Sequence, residues 1–218
     1  MKEWLALGQH AHAALPIELL TGIVVLALAP FILVMSTSFV RIVVVLSLVR
    51  SAIGAAALPP NTVLTGLALV LTLVIMSPTI RAISSRAIEP YAHGKLSQAA
   101  LLERAATPLR AFMLRQTRAG DILLFSRVAH RPVEAAVRTP TFVLIPAFVV
   151  GELRSAFAIG FALYLPFVAI DLAVASILMG LGMFMLSPPV VSLPAKLLLF
   201  VMVDGWALVC GGVVSSFR

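Results

Sequence analysis

The chain has 218 residues, 61% of them apolar and only 11% charged, against about half and about a quarter in soluble globular proteins. That composition excludes an ordinary soluble domain and points to a chain embedded in, or assembled with, a membrane. The formal charge is +7, and residues 79–138 hold ten Lys or Arg against four Asp or Glu; without the aromatic interleaving that stacking on bases uses, this surplus reads as a membrane-flanking or assembly surface and not as a nucleic-acid site.

Residues 1–14 are expected to be an extramembrane start. Lys2 precedes an apolar patch, Trp4 to Leu7, that is too short for the core of a signal peptide. The next segment, residues 15–78, carries the N-terminal apolar helices. Its first run, Leu15 to Val49, exceeds the roughly 20 residues that cross a bilayer and must be divided. Pro30 can kink it, the Ser36, Thr37, Ser38 cluster can interrupt it, and Arg41 and Arg50 sit in or beside its second half. The second run, Val63 to Met76, lies between Pro59-Pro60 and Ser77-Pro78 and is short for a span, which suits a tilted, buried or partly inserted helix.

Residues 79–138 form a polar helical domain, with Glu89-Pro90 and Thr107-Pro108 as helix boundaries or starts. From Leu109 to Val128, apolar Phe112, Leu114, Ile122, Leu124 and Phe125 interleave with Arg110, Arg115, Arg118 and Arg127, the pattern of an amphipathic helical region with a possible break at Gly120.

Residues 139–218 are apolar again. They predict a helical hairpin with one arm from about Val149 to Leu186, bent near Pro166, and a second from about Leu193 to Val214. Its tip, residues 179–189, reads MGLGMFMLSPP and sets Met183, Phe184 and Met185 between Gly180, Gly182 and Pro188, Pro189. Glycine weakens a helix there and proline cannot donate to one, so the chain breaks. On spacing alone these three side chains read as fillers at a helical turn ahead of a seal, because Met is the ordinary gap-filler of cores.

Glu152, Arg154, Asp171, Lys196 and Asp204 lie in or beside this apolar block. Each costs about 2.5 to 3.5 kcal/mol at the centre of a lipid-facing helix, so they must pair, neutralise or face water. Glu152 and Lys196 fall on opposite arms, and an interhelical or intersubunit ion pair between them is the natural expectation. Asp171 and Asp204 could share a proton, as relay groups of an ion-coupled transporter or as the pair of an intramembrane aspartyl protease. No glycine-flanked motif of such proteases surrounds Asp204, and a structural role is favoured. No HExxH, P-loop or GxGxxG motif occurs, and His10, His12, His93 and His130 do not group as metal ligands. Cys210 stands alone, which leaves no intrachain disulfide.

Long ordered blocks now carry a resemblance: TSFVRIVVVLSLVRSAIG, PPNTVLTGLAL, MSP, PLRAFMLRQTR, LIPAFVVGELRSAFAIGF, PFVAIDLAVASILMGLGM and SLPAKLLLFVMVDGW. Together they resemble the FliP/SctR family, the export-gate membrane proteins of flagellar and virulence type III secretion, with RQTR and the closing DGW nearer the flagellar branch. The resemblance implies an all-α fold of membrane-type hairpins with the polar helical domain inserted between the second and third apolar blocks. It implies several copies in a pentameric ring, joined by FliQ-like and FliR-like subunits in a funnel at the bacterial inner membrane that passes unfolded export substrates. It implies no catalysis, no cofactor and no metal. Met183, Phe184 and Met185 match the family's methionine gasket, Glu152 and Lys196 a charged pair at subunit contacts, and Phe112 and Phe125 aromatics that pack during assembly. The polar block falls on the periplasmic side, against the positive-inside tendency. Two departures stand out: Gly151 precedes Glu152 where the family usually has Ser, and Phe184 replaces the central methionine.

Overall fold

The computed structural model describes residues 17–54, 58–131 and 138–217; the expected extramembrane start, residues 1–14, lies outside them. All regular structure among these residues is helical. The chain divides into two units, residues 1–34 and 35–218. The described part of the first is almost all of α1 (Ile17–Ser36), an apolar helix that keeps Pro30 in its interior.

The helix ends at the Ser36, Thr37, Ser38 cluster, where the sequence places the division, and α2 (Phe39–Ile53) begins immediately beyond it. In α2 the residues Ile42, Val45, Leu46, Val49 and Ile53 are buried, the spacing of a helix with one apolar face toward a core. Gly54 closes it in the left-handed conformation, φ 83°, which glycine adopts without strain.

The second run is longer than its sequence boundaries imply. Helix α3 (Asn61–Ile83) passes through Pro78, continues through a π-helical turn (Ser84–Ile88), and ends in the short α4 (Glu89–Ala92). Proline removes one backbone donor, and at this point Met76 and Thr79 are buried on either side of it, so packing outweighs the lost bond. The apolar part of Asn61–Ala92 is thereby long enough to cross a membrane. The polar domain then adds α5 (Gln98–Gln116), capped by the Ser97 hydroxyl accepting from the Ala100 N–H, and α6 (Ala119–Val128).

Helix α7 (Thr141–Gly180) has 40 residues, about 60 Å at 1.5 Å per residue. It starts before the expected arm and carries both Pro146 and Pro166 inside. Around Pro146 the residues Val143, Leu144, Ala147 and Phe148 are all buried, which holds the helix through the missing hydrogen bond. It too is long and apolar enough to cross a membrane. The second arm differs from the expectation: it is two helices, α8 (Pro188–Met202) and α9 (Gly205–Ser215), bent by 64°. Asp204 makes the break, at φ 49° and ψ 55°.

In the second unit, α7 is the axis against which α2, α5, α6 and α8 pack. One core joins Leu46 and Val49 of α2, Ala68 of α3, Phe167 of α7, Phe200 of α8 and Val213 of α9. A second joins Met76 with Phe112, Met113, Leu144 and Phe148, under the polar domain. Close approach is required at Gly160, where a Cβ would run into Leu48 Cδ1 and stand 3.1 Å from Leu48 Cβ.

Candidate functional site

Three ion pairs run along α7 and account for four of the five charges that the sequence marks as out of place. Deepest is Glu152, fully buried. Its carboxylate accepts two bonds from Arg41 of α2, Nε to Oε2 at 2.8 Å and Nη2 to Oε1 at 2.5 Å. The remaining Arg41 nitrogen, Nη1, donates to the carbonyl and the hydroxyl of Ser216, each at 3.0 Å, and the guanidinium lies 3.9 Å from the Phe217 ring centroid. Ser216 is the C-terminal cap of α9, so one arginine neutralises a carboxylate and also meets the negative end of a helix. A buried pair built this way satisfies the desolvated groups that would otherwise make it costly.

Lys196 of α8 repeats the arrangement. Its Nζ bonds Asp171 Oδ2 at 2.5 Å and the Ala52 carbonyl in the last turn of α2 at 3.3 Å. The Ser192 hydroxyl donates to the other Asp171 oxygen at 2.5 Å. The α7–α8 hairpin is thus braced across its arms and tied to the end of α2. In the third pair Arg154 forks onto Asp121, Nη1 to Oδ2 at 2.9 Å and Nη2 to Oδ1 at 2.7 Å. Asp121 lies in the first turn of α6, where a carboxylate is favoured by the helix dipole.

The expected Glu152–Lys196 pair is therefore not formed within the chain: Arg41 takes the glutamate and Asp171 takes the lysine. The reason is position along the hairpin. Glu152 and Asp171 are 19 residues apart on α7, roughly 28 Å, and Lys196 lies beside Asp171. Asp171 and Asp204 are likewise not brought together. Asp204 follows Lys196 by eight residues, roughly 12 Å along the arm, and is exposed at the α8–α9 bend.

Of the two aromatics, Phe112 is buried in the second core, edge-on to Phe148 at 6.0 Å and stacked with Phe217 at 6.4 Å. Within the chain it is a core residue that ties the polar domain to α7 and to the C-terminal segment. Phe125 is half-buried on α6.

The tip is built as the glycines and prolines dictate. Helix α7 stops at Gly180, Gly182 takes φ 74°, and Pro188 and Pro189 open α8, where proline's missing donor costs nothing. Met183, Phe184 and Met185 stand between them at 43%, 79% and 100% exposure. In this chain they are not core fillers: three bulky apolar side chains project from the end of a braced hairpin.

Residues 22–213 match the FliP family. The chain is 48% identical over 204 residues to the flagellar biosynthetic protein FliP of Pectobacterium carotovorum, spanning 93% of this chain and 79% of that one. It is 48% identical over 203 residues to the protein of the same name from Caulobacter vibrioides, spanning 93% and 76%, and 43% identical over 202 residues to that of Bacillus subtilis, spanning 92% and 91%. By the family match, by these relatives and by helices able to cross a membrane, the chain belongs to the FliP family, a component of the flagellar export apparatus.

Proposed function

We propose that this chain is a non-enzymatic structural and gating subunit of the type III secretion export gate in the bacterial inner membrane. Several copies, in a pentameric ring with FliQ-like and FliR-like subunits, line the channel for unfolded export substrates, with the 79–138 block on the periplasmic side. Met183, Phe184 and Met185 from each copy close the channel as a gasket, and the inward projection of the tips sets its bore. Methionine is flexible and polarizable, so such a ring can pack shut and still yield to a passing chain.

The observation that carries this reading is the exposure of the triplet. Apolar side chains left bare at the end of a rigid arm await cover from other copies, and the Asp171–Lys196 brace gives the arm the stiffness a seal requires. Glu152 and Asp171 are engaged internally, which favours scaffolding over proton relay or proteolysis.

A cysteine at position 185 tests it. In a Cys210→Ala background, Met185→Cys should give oxidative crosslinks between copies in the assembled complex, because a central ring brings the tips together. Normal assembly with no crosslinked product would contradict the proposal.

A further inference from the structure

The basic surplus of the polar domain is not spread evenly. Between the C-terminal end of α3 and the face of α5 lie two adjoining open grooves, of about 320 Å³ and about 210 Å³. Arg86 lines both; Arg104 and Thr107 line the first, with Ser85, and Arg115 lines the second. All three arginines are exposed, and among the described residues none has a carboxylate within ion-pair distance or a hydrogen-bond acceptor. Of the nearest acids in sequence, Glu89 accepts from the Ser84 hydroxyl, and Glu103 makes no ion pair among the described residues. Two guanidinium groups, those of Arg86 and Arg104, line the first groove and repel one another unless an anion joins them.

Arg86 sits in the π-helical turn Ser84–Ile88, an insertion that recurs at functional sites because it re-aims side chains. Ser85 holds only a long 3.5 Å bond to the Ala82 carbonyl, so its hydroxyl can turn toward a ligand. Arginine forks suit phosphate oxygens better than any other side chain.

Position then selects the source of the phosphate. From Asn61 to Arg81 no charged residue interrupts α3, and twenty residues at 1.5 Å are roughly 30 Å, the depth of a hydrocarbon core. Leu69, Val70, Leu73 and Val74 are exposed along this stretch, as on a helix that meets lipid. Arg86 lies five residues beyond Arg81, about 7.5 Å further, which is the level of the headgroup layer. We propose that the groove lined by Arg86 and Arg104 binds the phosphate of an anionic phospholipid at the end of the α3 span.

The test uses the full chain in nanodiscs of phosphatidylcholine with a minority of phosphatidylglycerol. Lipid retained after detergent extraction is measured by native mass spectrometry. The wild-type chain should retain phosphatidylglycerol preferentially, and R86Q/R104Q should lose that preference by roughly tenfold or more, while R86K/R104K keeps part of it. Helicity by circular dichroism checks folding; if the double variant does not fold, Arg104→Gln on exposed α5 carries the comparison with a smaller expected loss. Equal retention by wild type and variant would overturn the proposal. So would binding of inorganic phosphate to the groove in nanodiscs lacking phosphatidylglycerol with no enrichment of the lipid, which would assign it to a soluble phosphate. Loss of oligomer with unchanged lipid retention would assign the groove to a second copy and overturn it as well.

Discussion

Arg41 and Glu152 lie 111 residues apart in sequence and meet fork to carboxylate, with both partners buried. This pair fixes α2 to α7, and through Ser216 it fixes the C-terminal segment to both. Removing one partner leaves an uncompensated buried charge, so Arg41→Ala or Glu152→Ala should destabilise the chain by about 3–5 kcal/mol. Arg41→Lys should recover only part, because an ammonium cannot make the second parallel bond. Thermal unfolding in detergent measures both. The exchange R41E/E152R should regain part of the loss, whereas E152K/K196E should regain none in the isolated chain, since those two residues are not partners there.

Asp171→Asn should cost less, about 1–2 kcal/mol, because Asp171 is about one third exposed at 32% and the Ala52 carbonyl still accepts from Lys196. The loss should appear as reduced assembly of the export complex, measured by native gel. Normal assembly with abolished transport would instead support a chemical role for this carboxylate.

Much of the fold was legible, and the exceptions share a physical cause. The Ser36–Ser38 break, the tip at Gly182 and the amphipathic α5 and α6 are local features, carried by residues within one or two turns of each other. Pro78, Pro108 and Pro146 misled because a proline's cost of about 3 kcal/mol was outweighed by packing of Met76, Phe112 and Phe148, which only the tertiary structure supplies. The break at Asp204 had a signal, Asp followed by Gly, but a non-glycine residue at positive φ is uncommon enough to pass as helix. The five stray charges were visible; how they pair was not. Asp171 and Lys196 are both among the five, Arg41 is marked only as a charge that divides its run, and Asp121 is ordinary in the polar block, so the pairing is decided by which helices meet.

Gly160→Ala should destabilise despite alanine's better helix propensity. The new methyl would enter Leu48, whose Cβ at 3.1 Å belongs to its stem and cannot swing aside. A net loss of about 1–2 kcal/mol is expected, the balance of overpacking against the gain of roughly 1 kcal/mol from replacing glycine in a helix. Adding Leu48→Ala should relieve the clash, and a double-mutant cycle on thermal stability measures the coupling.

Gly151→Ser should act in the opposite direction. A Cβ at this position lies 3.5 Å from Asp121 Oδ2, so a serine hydroxyl can donate to the carboxylate already held by Arg154. The helix and the added bond together should raise stability by about 0.5–1.5 kcal/mol. If denaturant unfolding shows the serine variant to be less stable, Asp121 has no room for a further donor.

The most direct measurement is the single-channel conductance of the assembled export complex carrying M183A/F184A/M185A. Truncating the three exposed side chains removes the proposed seal without touching the Asp171–Lys196 brace, so the complex should assemble normally and leak ions in the closed state. Phe184→Met alone should keep the seal. A closed-state conductance for the triple variant equal to that of the wild-type complex, at equal assembly, would contradict the gasket.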